Sequence, residues 1–149
     1  MQDRIEKTIE LKAPVSRVWR ALTDHQEFGQ WFRVNLHGPF EVGEVSTGQM
    51  TYPGYEQYRW YAVVKAMEPE RLFAFAWCPY SDNPDADYSR EPQTLVEFRL
   101  EPSPTGTRLH LCESGFAALP DDARRADALR MNNEGWEAQA RNIAAHVEN

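Results

Sequence analysis

The middle of the chain, residues 33–116, constrains the fold most, because short strand patterns and turns follow one another there with little between them. The segments RLFAFAW (71–77) and TLVEFRLEP (94–102) alternate with a period of two, which is typical of strands that place one face on the core. The turn SPTG (103–106) is short enough to join two antiparallel neighbours. The middle of the chain therefore predicts an antiparallel sheet.

Helical and strand patterns flank this middle region on both sides. The segment RIEKTIELKAP (4–14) predicts a first strand, and two short helical patterns follow at 15–22 and 24–32. The longest helical pattern runs from about residue 121 to residue 147. We therefore expect one α+β domain over residues 1–149, with about six or seven strands, two short helices near the N-terminus and a long C-terminal helix.

Composition excludes several classes of function. The formal net charge is −7, and the 16 Lys and Arg residues are scattered, so we expect no nucleic-acid partner. No apolar stretch is long enough to span a membrane, so we expect a soluble, cytoplasmic protein without membrane insertion. Cys78 and Cys112 fit no metal-ligand spacing, and no nucleotide-binding or hydrolase motif occurs, so we expect no metal and no cofactor.

One acidic residue stands on an apolar strand face. In the segment TRLHLCESGF (107–116), Leu109, Leu111 and Glu113 share one face, and the two leucines mark that face as inward. A buried carboxylate needs hydrogen-bond donors or a shifted pKa. Three interpretations remain open: a solvated residue at the strand end, a structural latch to Asn132, Asn133 or a backbone group of the C-terminal helix, or a polar anchor in a pocket.

The order of elements and several segments resemble a known family. The segments IELKAPVSRVWRALTD (9–24), MEPERLFAFAW (67–77), GTRLHLCESGF (106–116) and NNEGWEAQARNIAAHVE (132–148) are similar to the Hsp90-ATPase-activator-like (AHSA1-like) branch of the SRPBCC superfamily. The resemblance implies a helix-grip (Bet v 1/START-like) fold, in which a curved sheet grips the long helix around a cavity. Members of the superfamily use such cavities for apolar molecules, and some are cyclases or hydrolases.

This resemblance places the candidate site between the sheet and the C-terminal helix. We expect a small apolar or aromatic ligand there, held by two polar anchors and by mainly aromatic walls. The anchors are Glu113 and Asn133, and the walls are Trp60, Phe73, Phe75, Trp77, Phe98, Leu111 and Trp136.

Two alternatives belong to other classes of function. The first is a cyclase or hydrolase with Glu113 as general acid or base, although no second acid-base residue stands in a defensible position. The second is an interaction protein that acts on Hsp90, as the namesake of the family does. Binding without catalysis is the function that we expect.

The segment CPYSDNPDADYSREP (78–92) separates two predicted strands and is rich in proline and aspartate. These residues disfavour a strand ladder, so we expect residues 79–92 to be irregular and exposed. If the segment folds over the mouth of the cavity, it is a candidate lid.

Overall fold

The computed structural model describes residues 3–79, 85, 87–120 and 123–148. Its strands are β1 (Arg4–Leu11), β2 (Val34–Leu36), β3 (Val45–Met50), β4 (Arg59–Glu68), β5 (Leu72–Trp77), β6 (Thr94–Ser103) and β7 (Gly106–Ser114). Its helices are α1 (Val15–Thr23), α2 (His25–Phe32) and α3 (Ala123–Val147), with a 3-10 turn at Phe116–Ala118.

The seven strands form one antiparallel sheet in the order β1-β7-β6-β5-β4-β3-β2. Strands β2 to β7 therefore follow chain order, and β1 crosses to pair with β7. A register shift between Val64 and Ala66 marks a bulge in β4, and bulges bend and twist the strand that carries them. The predicted sheet, long C-terminal helix and pair of short N-terminal helices are confirmed, which corresponds to the helix-grip fold.

The two short helices begin and end where local chemistry dictates. Pro14 precedes the first turn of α1, where its missing N–H costs nothing. The side chain of Asp24 caps α2 by accepting hydrogen bonds from the backbone N–H groups of Gln26 and Glu27. Helix α2 stops at Arg33, which has a left-handed backbone conformation with φ of 68°.

A tight junction fixes the start of β7 against the first strand. Gly106 has φ of +145°, and a Cβ at this position would lie 2.6 Å from the carbonyl oxygens of Leu11 and Ala13. The next residue, Thr107, is buried and donates its hydroxyl to the Ala13 carbonyl over 2.8 Å. Glycine is therefore the residue that allows β1 and β7 to approach this closely.

The core lies between the concave face of the sheet and α3. Helix α3 buries Ala128, Trp136, Ile143 and Val147 against it. An ion-pair cluster ties the C-terminal end of α3 to the short helices, because Glu27 accepts bonds from Arg17, Arg20 and His146. The long helix is thus held both by apolar packing and by charge at its last turn.

Two predicted boundaries concern residues that the structure describes only in part. The predicted start of the long helix at residues 121–122 lies outside the described residues, and α3 is described from Ala123. Residues 80–84 and 86 of the predicted loop, and with them the lid hypothesis, also lie outside them. Residues 87–92 have the predicted irregular, turn-rich backbone, whereas Pro79 is buried.

Candidate functional site

Glu113 is fully buried at the inner face of β7, with 0 % of its surface exposed. Its Oε2 accepts hydrogen bonds from Trp77 Nε1 at 2.8 Å and from Thr94 Oγ1 at 2.5 Å. Its Oε1 accepts a bond from Trp136 Nε1 at 2.8 Å. The amide nitrogen of Asn132 lies 3.2 Å from each of the two oxygens. Four side chains therefore converge as donors on one carboxylate.

The sheet register and the helix together assemble this cluster. Thr94 opposes Trp77 in the β5–β6 pair, and Glu113 opposes Val96 in the β6–β7 pair, so Thr94 lies two residues from the carboxylate on the same face. Helix α3 supplies the remaining donors, which are separated by four residues and share one helical face. The interpretation of Glu113 as a solvated residue at the strand end is therefore wrong. The contacts of Glu113 are those of a latch between the sheet and α3.

Burial raises the pKa of Glu113 above its ordinary value, while hydrogen bonds from Thr94, Trp77, Trp136 and Asn132 oppose that rise. The lone pairs of the carboxylate are engaged by protein donors on both oxygens. A general base must reach the proton that it removes, and this carboxylate faces protein groups on every side.

An open pocket of about 360 Å³ lies beside the latch, between α3, the end of β5 and the turn that joins β3 to β4. We call it the tyrosine pocket. Aromatic side chains provide most of its wall: Phe32, Tyr52, Tyr55, Tyr58, Trp60, Tyr61, Trp77 and Tyr88. The helix contributes Met131, Asn132, Gly135, Ala138, Gln139 and Asn142, and the remaining lining residues are Met50, Arg59, Cys78 and Pro79.

The structure separates the predicted wall residues into two groups. Trp60 and Trp77 line the tyrosine pocket, and Trp136 borders a smaller adjoining pocket of about 100 Å³ that Trp77 also lines. The other four pack inside the core and do not line either pocket: Phe73, Phe75, Phe98 and Leu111. Between α3 and strands β6 and β7 the packing leaves a void of only about 10 Å³.

The polar residue that α3 turns towards Glu113 is Asn132, the neighbour of the predicted Asn133. Asn133 lines neither pocket, and Asn132 lines both. Both asparagines can share a helical face with Trp136, because they precede it by four and three residues. Spacing alone therefore does not distinguish the two.

Sequence reasoning missed the wall made by the β3–β4 turn. The segment TYPGYEQY (51–58) places three tyrosines within eight residues, and Tyr52 and Tyr55 remain 41 % and 46 % exposed. The ring of Tyr55 contacts both other rings, with centroids 5.7 Å apart for Tyr52–Tyr55 and 6.0 Å apart for Tyr55–Tyr58. The density of tyrosine in a turn was the available signal.

The cysteine and potential metal-ligating side chains of the described residues provide no second candidate site. Cys78 and Cys112 are not joined in a disulfide bond, and burial raises the pKa of the Cys112 thiol. Within the described ranges, no group of three or more His, Cys, Asp or Glu side chains could hold a metal ion. Among those residues, no helix combines the length and the apolar character needed to cross a membrane.

Solved structures share the fold at low sequence identity. Protein MLL2253 from Mesorhizobium loti is 22% identical, with a TM-score of 0.74 over 96% of this chain and 95% of that chain. Protein CV1439 from Chromobacterium violaceum is 17% identical, with a TM-score of 0.75 over 99% of both chains. DynU16 is 21% identical, with a TM-score of 0.77, and this chain spans about half of it, 48%.

No functionally curated protein matches the chain. The family model described as activator of Hsp90 ATPase homolog 1-like protein matches residues 12–148, which is most of the sequence. That span includes α1 to α3, every strand after β1 and the whole Glu113 latch. The chain therefore belongs to the activator of Hsp90 ATPase homolog 1-like family.

Proposed function

We propose that the protein binds a small, planar aromatic molecule in the tyrosine pocket. The observation that carries this proposal is the pocket itself, whose volume of about 360 Å³ is bordered by eight aromatic side chains. Ligand sites are typically concave, between about 300 and 1,000 Å³, and combine apolar walls with a few polar groups. The tyrosine pocket has this composition, with the side-chain amides of α3 among its polar groups.

Exposed apolar surface at the mouth supports the same proposal. Tyr52, Tyr55 and Met131 are each more than 40 % exposed, and all three line the pocket. Exposed apolar side chains that cluster around a concavity are typical of binding sites. A flat aromatic ligand would stack on the tyrosine rings and remove this surface from water.

Gly135 lines the pocket on its α3 side. It lies in the interior of α3, and a Cβ built on it meets no atom within 4 Å. Glycine in a helix costs about 1 kcal/mol relative to alanine, so helix stability does not account for it. Space for a ligand beside the helix does account for a glycine at this position.

The alternative functions have less support. The latch geometry engages Glu113 with four donors, which does not favour a catalytic base. DynU16, which shares the fold, is described as a putative protein in the dynemicin biosynthetic locus, a context compatible with small-molecule chemistry. The family description refers to Hsp90, and binding to Hsp90 stays a prediction that a pull-down with the purified protein would test.

The test uses 2-naphthol as the probe and Gly135→Leu as the blocking variant. We expect 2-naphthol to shift the amide NMR signals of residues around Asn132 and Gly135 in the wild type, and Gly135→Leu to abolish these shifts. Glu134→Leu is the matched control, because it adds the same side chain at an exposed neighbouring position that does not line the pocket. Absence of binding to the wild type, or equal binding to Gly135→Leu, would overturn the proposal.

A further inference from the structure

The helix wall of the tyrosine pocket carries three side-chain amides, on Asn132, Gln139 and Asn142. The orientation of an amide is fixed when one of its neighbours can only accept hydrogen bonds. Two such neighbours lie at the base of this wall, namely the Glu113 carboxylate and the backbone carbonyl of Phe32.

Glu113 fixes the orientation of Asn132. Both carboxyl oxygens already receive an indole N–H, and Asn132 Nδ2 lies 3.2 Å from each oxygen. The amide group thus directs its NH₂ towards the latch. Among the described residues, no donor reaches Asn132 Oδ1, so this oxygen is left as an acceptor on a residue that lines the pocket.

The Phe32 carbonyl fixes the other two amides in series. Gln139 donates its Nε2 to the Phe32 oxygen over 3.3 Å, which turns its Oε1 towards Asn142. Asn142 donates its Nδ2 to that Oε1 over 3.1 Å. Within the described part of the chain, Asn142 Oδ1 also has no donor and is left as a second acceptor on the pocket wall.

We propose that the amide oxygens of Asn132 and Asn142 make the tyrosine pocket selective for aromatic ligands that carry a neutral hydrogen-bond donor, such as a phenolic hydroxyl or a ring N–H. This inference rests on the proposed function and adds the chemical class of the ligand. Turning either amide over would bring its oxygen against the Glu113 carboxylate or against Gln139 Oε1, so that two acceptors would face each other.

Two features of the pocket oppose or dilute this selectivity. Arg59 lies on the wall and would favour a carboxylate on the ligand. The tyrosine hydroxyls can donate as well as accept, and Asn142 Nδ2 carries a second hydrogen beyond its bond to Gln139, so these groups do not exclude a ligand that only accepts. The amide oxygens are the groups on the wall that demand a donor, which makes their contribution separable by experiment.

The experiment compares three naphthalenes that differ in one group, by isothermal titration at neutral pH. The probe 2-naphthol offers a donor, 2-methoxynaphthalene only an acceptor, and 2-naphthoate a charge. We expect 2-naphthol to bind about fivefold to tenfold more tightly than 2-methoxynaphthalene, the effect of one net hydrogen bond. Equal affinities, or tightest binding of 2-naphthoate, would overturn the inference.

Helix variants then assign the effect to the amide oxygens. The double variant N132L/N142L should bring the affinity ratio close to one, whereas Asn133→Leu, which changes an asparagine outside the pocket, should keep it. Asn142→Leu alone leaves the Glu113 contacts intact. Its affinity ratio, which should fall, can therefore be measured even if the double variant does not fold. A ratio that survives both Asn142→Leu and the double variant would overturn the inference.

The two proposals fail in different ways. If no naphthalene binds the wild type, the proposed function and the donor selectivity both fail. If all three bind with equal affinity and Gly135→Leu blocks all three, the pocket is a binding site and only the donor selectivity fails.

Discussion

Trp77 and Trp136 stack with their ring centroids 5.5 Å apart and their planes at 28°, and each donates its indole N–H over 2.8 Å to a different oxygen of Glu113. One tryptophan comes from β5 and the other from α3. The pair therefore links the sheet to the long helix by ring packing and by hydrogen bonds to one carboxylate. Trp77 itself lines the tyrosine pocket and Trp136 lines the smaller adjoining pocket, so the pair also forms part of the pocket walls.

We expect Trp136→Phe to destabilise the protein more than Trp31→Phe. Both indoles are buried and both donate over 2.8 Å, but Trp136 donates to Glu113 and Trp31 donates to the neutral carbonyl of Ala21. Hydrogen bonds to a charged acceptor are about twice as strong as neutral ones, so above the folded-state pKa of Glu113 the difference should be about 1 kcal/mol. Urea denaturation of both variants measures it, and equal losses would show that the carboxylate adds nothing to the bond.

We expect Glu113→Gln to change how stability depends on pH. Burial raises the pKa of Glu113 above 4.5, so between 4.5 and the folded-state pKa the folded protein binds more protons than the unfolded chain. The wild type therefore loses stability as pH rises through this window, by about 1.4 kcal/mol per pH unit for each proton of difference.

The variant does not titrate at this position. As pH rises above 4.5, the free energy of unfolding of the variant should therefore increase relative to that of the wild type. Urea denaturation at a series of pH values from 4 upward measures the difference between the two curves. Parallel curves would mean that donors and burial cancel. If the wild type instead became more stable relative to the variant as pH rises, the four donors would outweigh burial in setting the pKa of Glu113.

We expect Gly135→Ala to stabilise the protein by about 1 kcal/mol, because the added Cβ meets open space and removes the cost of glycine in a helix interior. Gly29→Ala is the contrasting control in α2, because its Cβ would collide with the carbonyl oxygen of Val34. Thermal denaturation should show a higher Tm for Gly135→Ala and a lower one for Gly29→Ala. A lower Tm for Gly135→Ala would show that the helix needs glycine for packing.

We expect Glu27→Gln to destabilise the protein by about 1–2 kcal/mol at neutral pH, because Glu27 accepts charge-assisted bonds from Arg17 and Arg20 and a further bond from His146. Glu137→Gln, which affects an exposed ion pair with Lys7, is the control and should change stability by less than about 1 kcal/mol.

The pH dependence of Glu27→Gln should run opposite to that of Glu113→Gln. Burial acts to raise the pKa of Glu27, but the bonds from His146, Arg17 and Arg20 prevail and lower it below 4.5. The stabilisation is thus present above 4.5 and lost as pH falls through the folded-state pKa. A difference between wild type and variant that persists at acid pH would contradict this account.

The β7 strand shows how much of the site follows from sequence. Successive strand residues point to opposite faces, so Leu109 and Leu111 fixed the inward direction of Glu113 without any knowledge of the fold. The structure bears this out, since all three are buried. The identity of the four donors could not follow from that rule, because they lie 19 to 36 residues away along the chain.

Helix α3 shows what helical periodicity cannot predict. Asn132 and Asn133 lie four and three residues before Trp136, and both spacings bring side chains to one helical face. Only the rotation of α3 against the sheet decides which asparagine meets Glu113, and that rotation depends on how Trp136 and Ile143 pack into the core.

Local periodicity and turns between chain neighbours were enough to predict the order of elements, the antiparallel sheet and the inward face of β7. Which aromatic residues pack closely and which leave space depended on the tertiary structure. Phe73, Phe75 and Phe98 fill the core, while Tyr52, Tyr55 and Tyr58 border an open pocket. The physical reason is that packing depends on the shapes of side chains from distant segments, and alternation along one strand carries no information about them.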